Sequence, residues 1–208
     1  MTAHNTKNTK VLTPKQQERL KNKIKKIKAA LAADKRYWGG YYHDGQGLRY
    51  LPPELYLQLG DFTGGLRYFN WFHKNFSDDS GTPDFLFEWT VILFKTGRLK
   101  EAEKKAFQTF TSNIYLFDAF FDRPITPVDI WEGSGLESAD FAMNYFNYSH
   151  KQANLCDFAE WLDKVIHSDK FISLTKKYID IHKQLNYEED YDKREYLLDQ
   201  ADQLEDKL

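Results

Sequence analysis

The 208-residue chain contains a single cysteine, Cys156, which excludes an internal disulfide and any multi-cysteine metal site. No run approaches the roughly 20 apolar residues needed to span a bilayer. The first ten residues are polar and lack the apolar stretch of a secretory signal. These absences together lead us to expect a reducing, cytoplasmic setting. Period-two alternation is missing as well: apolar residues recur at spacings of three and four, so an all-α chain is expected. No His-Glu-x-x-His, phosphate-cradling Gly loop or Gly-x-Ser-x-Gly elbow occurs.

Aromatic residues and charge are plentiful. The chain holds 16 Phe, 13 Tyr and 5 Trp, enough rings to supply much of a core, while 29% of residues are charged. The small net charge of -2 conceals an asymmetry. Residues 1–36 carry eleven Lys and Arg against two acids, whereas residues 187–208 carry nine acids against three bases. Blocks of opposite sign point to an interaction arm or to mutual docking of the two ends.

Residues 1–12 read as a disordered start. Thr13-Pro14-Lys15-Gln16 then combines an N-cap, a first-turn proline and a capping-box glutamine, opening a helix that runs to about Asp34. Leu20, Ile24, Ile27 and Leu31 form its apolar stripe, with Lys21, Lys25 and Lys28 beside or opposite it. Residues 37–53, rich in Gly and closed by Pro52-Pro53, form a turn-rich connector. Its rings (Tyr37, Trp38, Tyr41, Tyr42 and Tyr50) are expected to fold it back onto the body. Further helices are predicted at about 54–59, 64–75, 84–95 and 99–112. After an irregular insertion at 113–135, more follow at about 137–150, 155–167, 170–186 and 189–206. The last repeats the stripe of the first, so the two terminal helices are candidates to pack together.

One pattern occurs twice, 37 residues apart: Leu59-Gly60-Asp61-Phe62 with Leu66, Phe69 and Phe72, then Thr96-Gly97-Arg98-Leu99 with Ala102, Ala106 and Phe110. Each copy is a Gly turn followed by an amphipathic helix, as in stacked helix pairs. The stretch from Glu54 to Phe110 resembles the tetratricopeptide repeat. Trp89 and Leu93 stand at large positions, Thr90, Ala102 and Ala106 at small ones, and Gly65 where Ala102 sits in the second copy. Leu99 replaces the usual aromatic, Pro52-Pro53 interrupts the first helix, and Ser77 and Ile114 replace the closing proline. The resemblance implies antiparallel helix pairs stacked as a superhelix over residues 37–208, with the best repeats at 54–77 and 83–112 and further pairs over 136–208. It also implies a concave peptide-binding face and no reaction.

The expected function is therefore a non-catalytic scaffold for a protein or peptide partner, with no cofactor and no metal. By that geometry Phe87, Val91, Phe94 and Lys95 would face the partner, and Arg123, Trp131 and Glu132 of the 122–135 loop would add contacts. The alternatives are that the Phe residues build core and that the loop is a lid over the edge between helix pairs. The Lys-rich helix docks on the acidic C-terminal helix, in the same chain or a second copy, binds nucleic acid as a regulator would, or meets an anionic membrane surface through its apolar stripe. An enzyme with an unrecognised site is the remaining class. Its candidates are His43-Asp44, Asp180 with His182, and the acids Glu88 and Asp118 within apolar runs. Cys156 reads as a small buried residue.

Overall fold

The computed structural model describes residues 12–207; the expectation of a disordered start falls on residues that, but for Leu12, lie outside that range. Ten α-helices and three short 3-10 turns are present, with no strand among the described residues. They divide into two compact units, residues 12–98 and 99–207. Packed helix pairs make up both, an arrangement compatible with a helical repeat. Among the described residues, no helix is long and apolar enough to cross a membrane.

The first unit begins with α1 (Pro14–Tyr37). The Thr13 hydroxyl accepts the Gln16 N–H while the Gln16 side chain accepts the Thr13 N–H at 2.8 Å, the reciprocal box the sequence encodes. The helix runs one turn past Asp34 and packs on α2 (Pro52–Leu59) with Ile24, Ile27 and Leu31 buried. The two prolines do not delay α2; they occupy its first turn, where no intrahelical N–H is needed. α3 (Phe62–Asn75) and α4 (Pro83–Lys95) complete the unit, each packed on α2 and on one another.

Both Gly turns found in the sequence end a helix in the same way. Gly60 and Gly97 are left-handed, at φ of 67° and 75°, a conformation that costs other residues a Cβ clash. The following N–H, from Asp61 or Arg98, reaches back to Tyr56 O or Leu93 O at 3.1 and 3.0 Å. Small size matters at Gly65, buried on α3: a Cβ there would collide with Ile92 Cδ1 and stand 3.3 Å from Tyr56 Cβ. The rings of Phe69, Phe72, Phe85 and Trp89 fill the space between α3 and α4, with Phe69 stacked on Trp89 at 4.5 Å.

The second unit contains α5 (Leu99–Ser112), α6 (Leu116–Phe120), α7 (Ala139–Asn144), α8 (Cys156–Ile166), α9 (Asp169–Leu185) and α10 (Tyr191–Asp202). α9 packs against α5, α8 and α10. Two departures from the sequence expectation have a common cause in buried or local polar contacts. Within the 113–135 insertion, Asn113 is buried and turns the chain into α6: its Oδ1 accepts the Tyr115 N–H at 2.9 Å. Its Nδ2 donates to Leu136 O and Ser138 O at 2.8 and 3.0 Å. The helix predicted at 137–150 stops at Asn144, since Asn147 and Ser149 bond nearby backbone instead. The His150 N–H goes to Phe120 O at the end of α6.

Replacing Gly65 with Val is expected to destabilise the protein by about 1–3 kcal/mol through overpacking against Tyr56 and Ile92. Urea denaturation measures this, and a neutral result would remove the close approach of α3 to its neighbours.

Candidate functional site

The residues singled out for partner contact are mostly engaged within the chain. Phe87 and Val91 are each 0% exposed, so they build the core of α4 and present nothing to a concave face. Phe94 and Lys95 are half-buried, with the Lys95 ammonium 5.6 Å over the Phe62 ring. Arg123 pairs with Asp163 at 2.8 Å and lies over Phe121 at 4.5 Å. Trp131 exchanges hydrogen bonds with His182. The Trp131 N–H donates to His182 O at 3.0 Å, and His182 Nδ1–H donates to Trp131 O at 3.1 Å. Burial pushes this histidine below its ordinary value, against the pull of the Trp131 carbonyl, Glu137 and Asp202.

The same loop is fixed elsewhere. Tyr115 Oη accepts the Val128 N–H at 2.9 Å, and Asn186 and Tyr187 both donate to Asp129. The 122–135 segment is thus strapped onto the end of α9, while Glu132 remains exposed. Glu88 is buried in α4, and burial raises the Asp118 carboxyl against the pull of Arg123. Cys156 is exposed at the first position of α8, correcting the expectation of burial. Among the described residues no three His, Cys, Asp or Glu side chains are grouped to hold a metal ion.

A surface dominated by one sign of charge lies in the first unit. α1 carries nine Lys and Arg against two acids and buries only three of its residues. Lys21, Lys25 and Lys28 are exposed, and none has an acidic partner among the described residues. Of the acids, Glu18 accepts from Asn22 at 3.1 Å. The other, Asp34, accepts the N–H groups of His43 and Asp44 at 2.8 and 3.1 Å, drawing the connector back beside the helix end. The chain reverses through Trp38, Gly39 and Gly40, with Gly40 N–H bonded to Lys35 O at 2.8 Å.

This reversal sorts the aromatic residues. Tyr42 packs inward on Trp71 and Phe76, with Lys35 4.7 Å over its ring, and Tyr50 packs on Phe85. Tyr37, Trp38 and Tyr41 are left 81%, 49% and 79% exposed, correcting the expectation that all five fold back. The Trp38 ring is steadied between Tyr37, edge-on at 5.2 Å, and His43, tilted at 4.9 Å. The sequence signal was present as paired aromatics flanking Gly39-Gly40 just after a basic helix, but nothing in it separates inward from outward rings.

What holds the turn in place is an ion-pair network. Asp44, whose side chain is 1% exposed, accepts the N–H groups of Leu48 and Arg49 and pairs with Arg49 Nη1 at 3.0 Å. Arg49 Nε pairs with Asp79 at 2.6 Å, and Nη2 donates to Tyr50 Oη at 2.9 Å. Tyr50 Oη in turn donates to Asp79 at 2.7 Å, and its hydroxyl is pushed up to about 12 by burial and by Asp79. Burial alone would raise Asp79; bonds from Tyr50, the Gly81 N–H and Arg49 outweigh it and hold the carboxyl below its usual range. A hollow of about 470 Å³ opens beside this network, bordered by Arg49, Asn75, Phe76 and Asp79. The guanidinium is committed to internal partners on every side, so the hollow offers no free cation.

Substituting Arg49 with Met strands two mostly buried carboxylates and is expected to cost about 3 kcal/mol. Urea denaturation at neutral pH checks this; a loss below about 1 kcal/mol would mean the network does not anchor the turn. Comparison with known proteins finds no matching family model, no matching curated protein and no matching solved structure.

Proposed function

We propose that this chain is a non-catalytic interaction module that engages a negatively charged macromolecular partner through α1 and the aromatic turn at its end. One observation carries the reading. Unlike the core residues Phe87 and Val91, Lys21, Lys25 and Lys28 remain exposed, with no ion pair among the described residues, on a helix about 36 Å long. An unneutralised row of like charge costs self-repulsion in the free protein, and a partner of opposite sign relieves it. Of the first ten residues of α1 only Leu20 is even half-buried, so little of their cost is repaid by packing.

The tetratricopeptide resemblance belongs to the same proposal. Equivalent glycine caps at Gly60 and Gly97 and the close approach at Gly65 support stacked antiparallel pairs as the scaffold that displays α1. In this reading the binding surface is the basic, exposed side of the first helix, and Phe87 and Val91, predicted to line a concave face, serve as core.

A protein of net charge -2 should pass through a polyanion column near neutral pH unless its positive charge is gathered on one surface. Retention on immobilised heparin at low salt is expected for the unaltered protein. The triple variant Lys21→Glu, Lys25→Glu, Lys28→Glu should elute without retention while keeping its helical circular dichroism. Equal elution of the two proteins would contradict the proposal.

A further inference from the structure

The chemistry of the exposed segment narrows the class of partner, on the premise that the anion-binding surface just described is the functional one. Residues 32–47 contain no Leu, Ile, Val, Met or Phe; along the chain the exposed rings are flanked by Arg36, Gly39, Gly40 and His43. Protein hot spots place aromatic residues in desolvated apolar surroundings. Rings standing in a polar, cationic setting instead offer flat π-faces beside positive charge. This pairing is the one used to hold single strands, in which bases stack on side chains and the backbone follows a basic track.

Two other anionic partners fit less well. Insertion into a lipid surface needs an unoccupied apolar helix face, and Ile24, Ile27 and Leu31 are already spent on packing against α2. A closed duplex satisfies the lysines but keeps its bases stacked on one another, leaving Tyr37, Trp38 and Tyr41 unused. The acids of the segment do not oppose a polyanion either. Asp34 keeps its charge but is half-buried and turned toward two backbone N–H groups, and Asp44 is buried against Arg49; Arg36 at the turn and Lys21, Lys25 and Lys28 behind it are exposed.

We propose that this surface binds single-stranded nucleic acid without reading its sequence, stacking bases on Tyr37, Trp38 and Tyr41 and meeting phosphates along the basic face of α1. Binding of this kind weakens steeply with salt, because each neutralised phosphate releases condensed counterion. Loss of a ring removes stacking without removing charge, so the two contributions separate experimentally.

The test is fluorescence anisotropy with a labelled mixed-sequence oligonucleotide of about 20 nucleotides, longer than the roughly 4–16 that one single-strand site occupies. It is run at about 50 and 200 mM salt, beside the same sequence as a duplex and beside poly-glutamate as competitor. The single strand is expected to bind more tightly than the duplex. Tyr37→Ala with Tyr41→Ala, both highly exposed and removable without disturbing the core, should weaken single-strand binding about tenfold or more and leave its salt dependence unchanged. The triple Lys→Glu variant should lose the salt dependence along with the binding. Equal or tighter duplex binding, or a ring variant that binds as well as the parent, overturns the inference. Binding of poly-glutamate but not of the oligonucleotide also overturns it while leaving the anion-binding function intact; failure of both polyanions overturns both.

Discussion

The geometry of the candidate surface depends on one guanidinium. Arg49 sits between Asp44 and Asp79 with a tyrosine hydroxyl on its third side, and each of those partners fixes a different stretch of chain. Asp44 holds the connector, Asp79 caps the loop before α4 through the Gly81 N–H, and the Arg49 carbonyl accepts from the buried Tyr68 hydroxyl at 2.7 Å. A connector containing four glycines has a high conformational entropy to lose on ordering, and backbone contacts alone do not repay it. Mostly buried charge pairs add little net stability, but they penalise every arrangement that would leave one member unpaired. The network therefore favours one path for residues 38–50, along which Tyr42 and Tyr50 turn inward and Trp38 and Tyr41 outward.

Around that constraint the first unit is built by close approach. Gly65 lets α3 meet Tyr56 and Ile92, and left-handed Gly60 and Gly97 close α2 and α4. The second unit adds polar fasteners to a core of Phe107, Phe120, Phe158 and Phe171. Asn113 ties α5 to the start of α7 through two carbonyls, and Trp131 with His182 straps the long loop to α9. Positive charge is concentrated where packing makes little use of it, along the exposed face of α1.

Much of this was legible in the residues. The capping box at Thr13, the stripe Ile24, Ile27 and Leu31 and the two glycine turns follow local rules, and local rules survive folding. α6 and the shortened α7 were not legible, because Asn113, Asn147 and Ser149 act through single hydrogen bonds that leave no periodic mark. The resemblance to a repeat motif led to the expectation that Phe87 and Val91 line a binding face, because such a motif describes helix order and leaves open which face is covered. The surface aromatics were counted as core for a related reason: Asp34 and Asp44 set their direction from a distance, and composition alone favours burial of rings.

The most direct test is nuclear magnetic resonance mapping of the protein titrated with a single-stranded oligonucleotide at low salt. The account predicts amide shifts confined to α1 and the turn through His43, together with indole N–H movement at Trp38. Shifts centred instead on α4, or within residues 99–207, would contradict the assignment of function to the basic helix and its aromatic end.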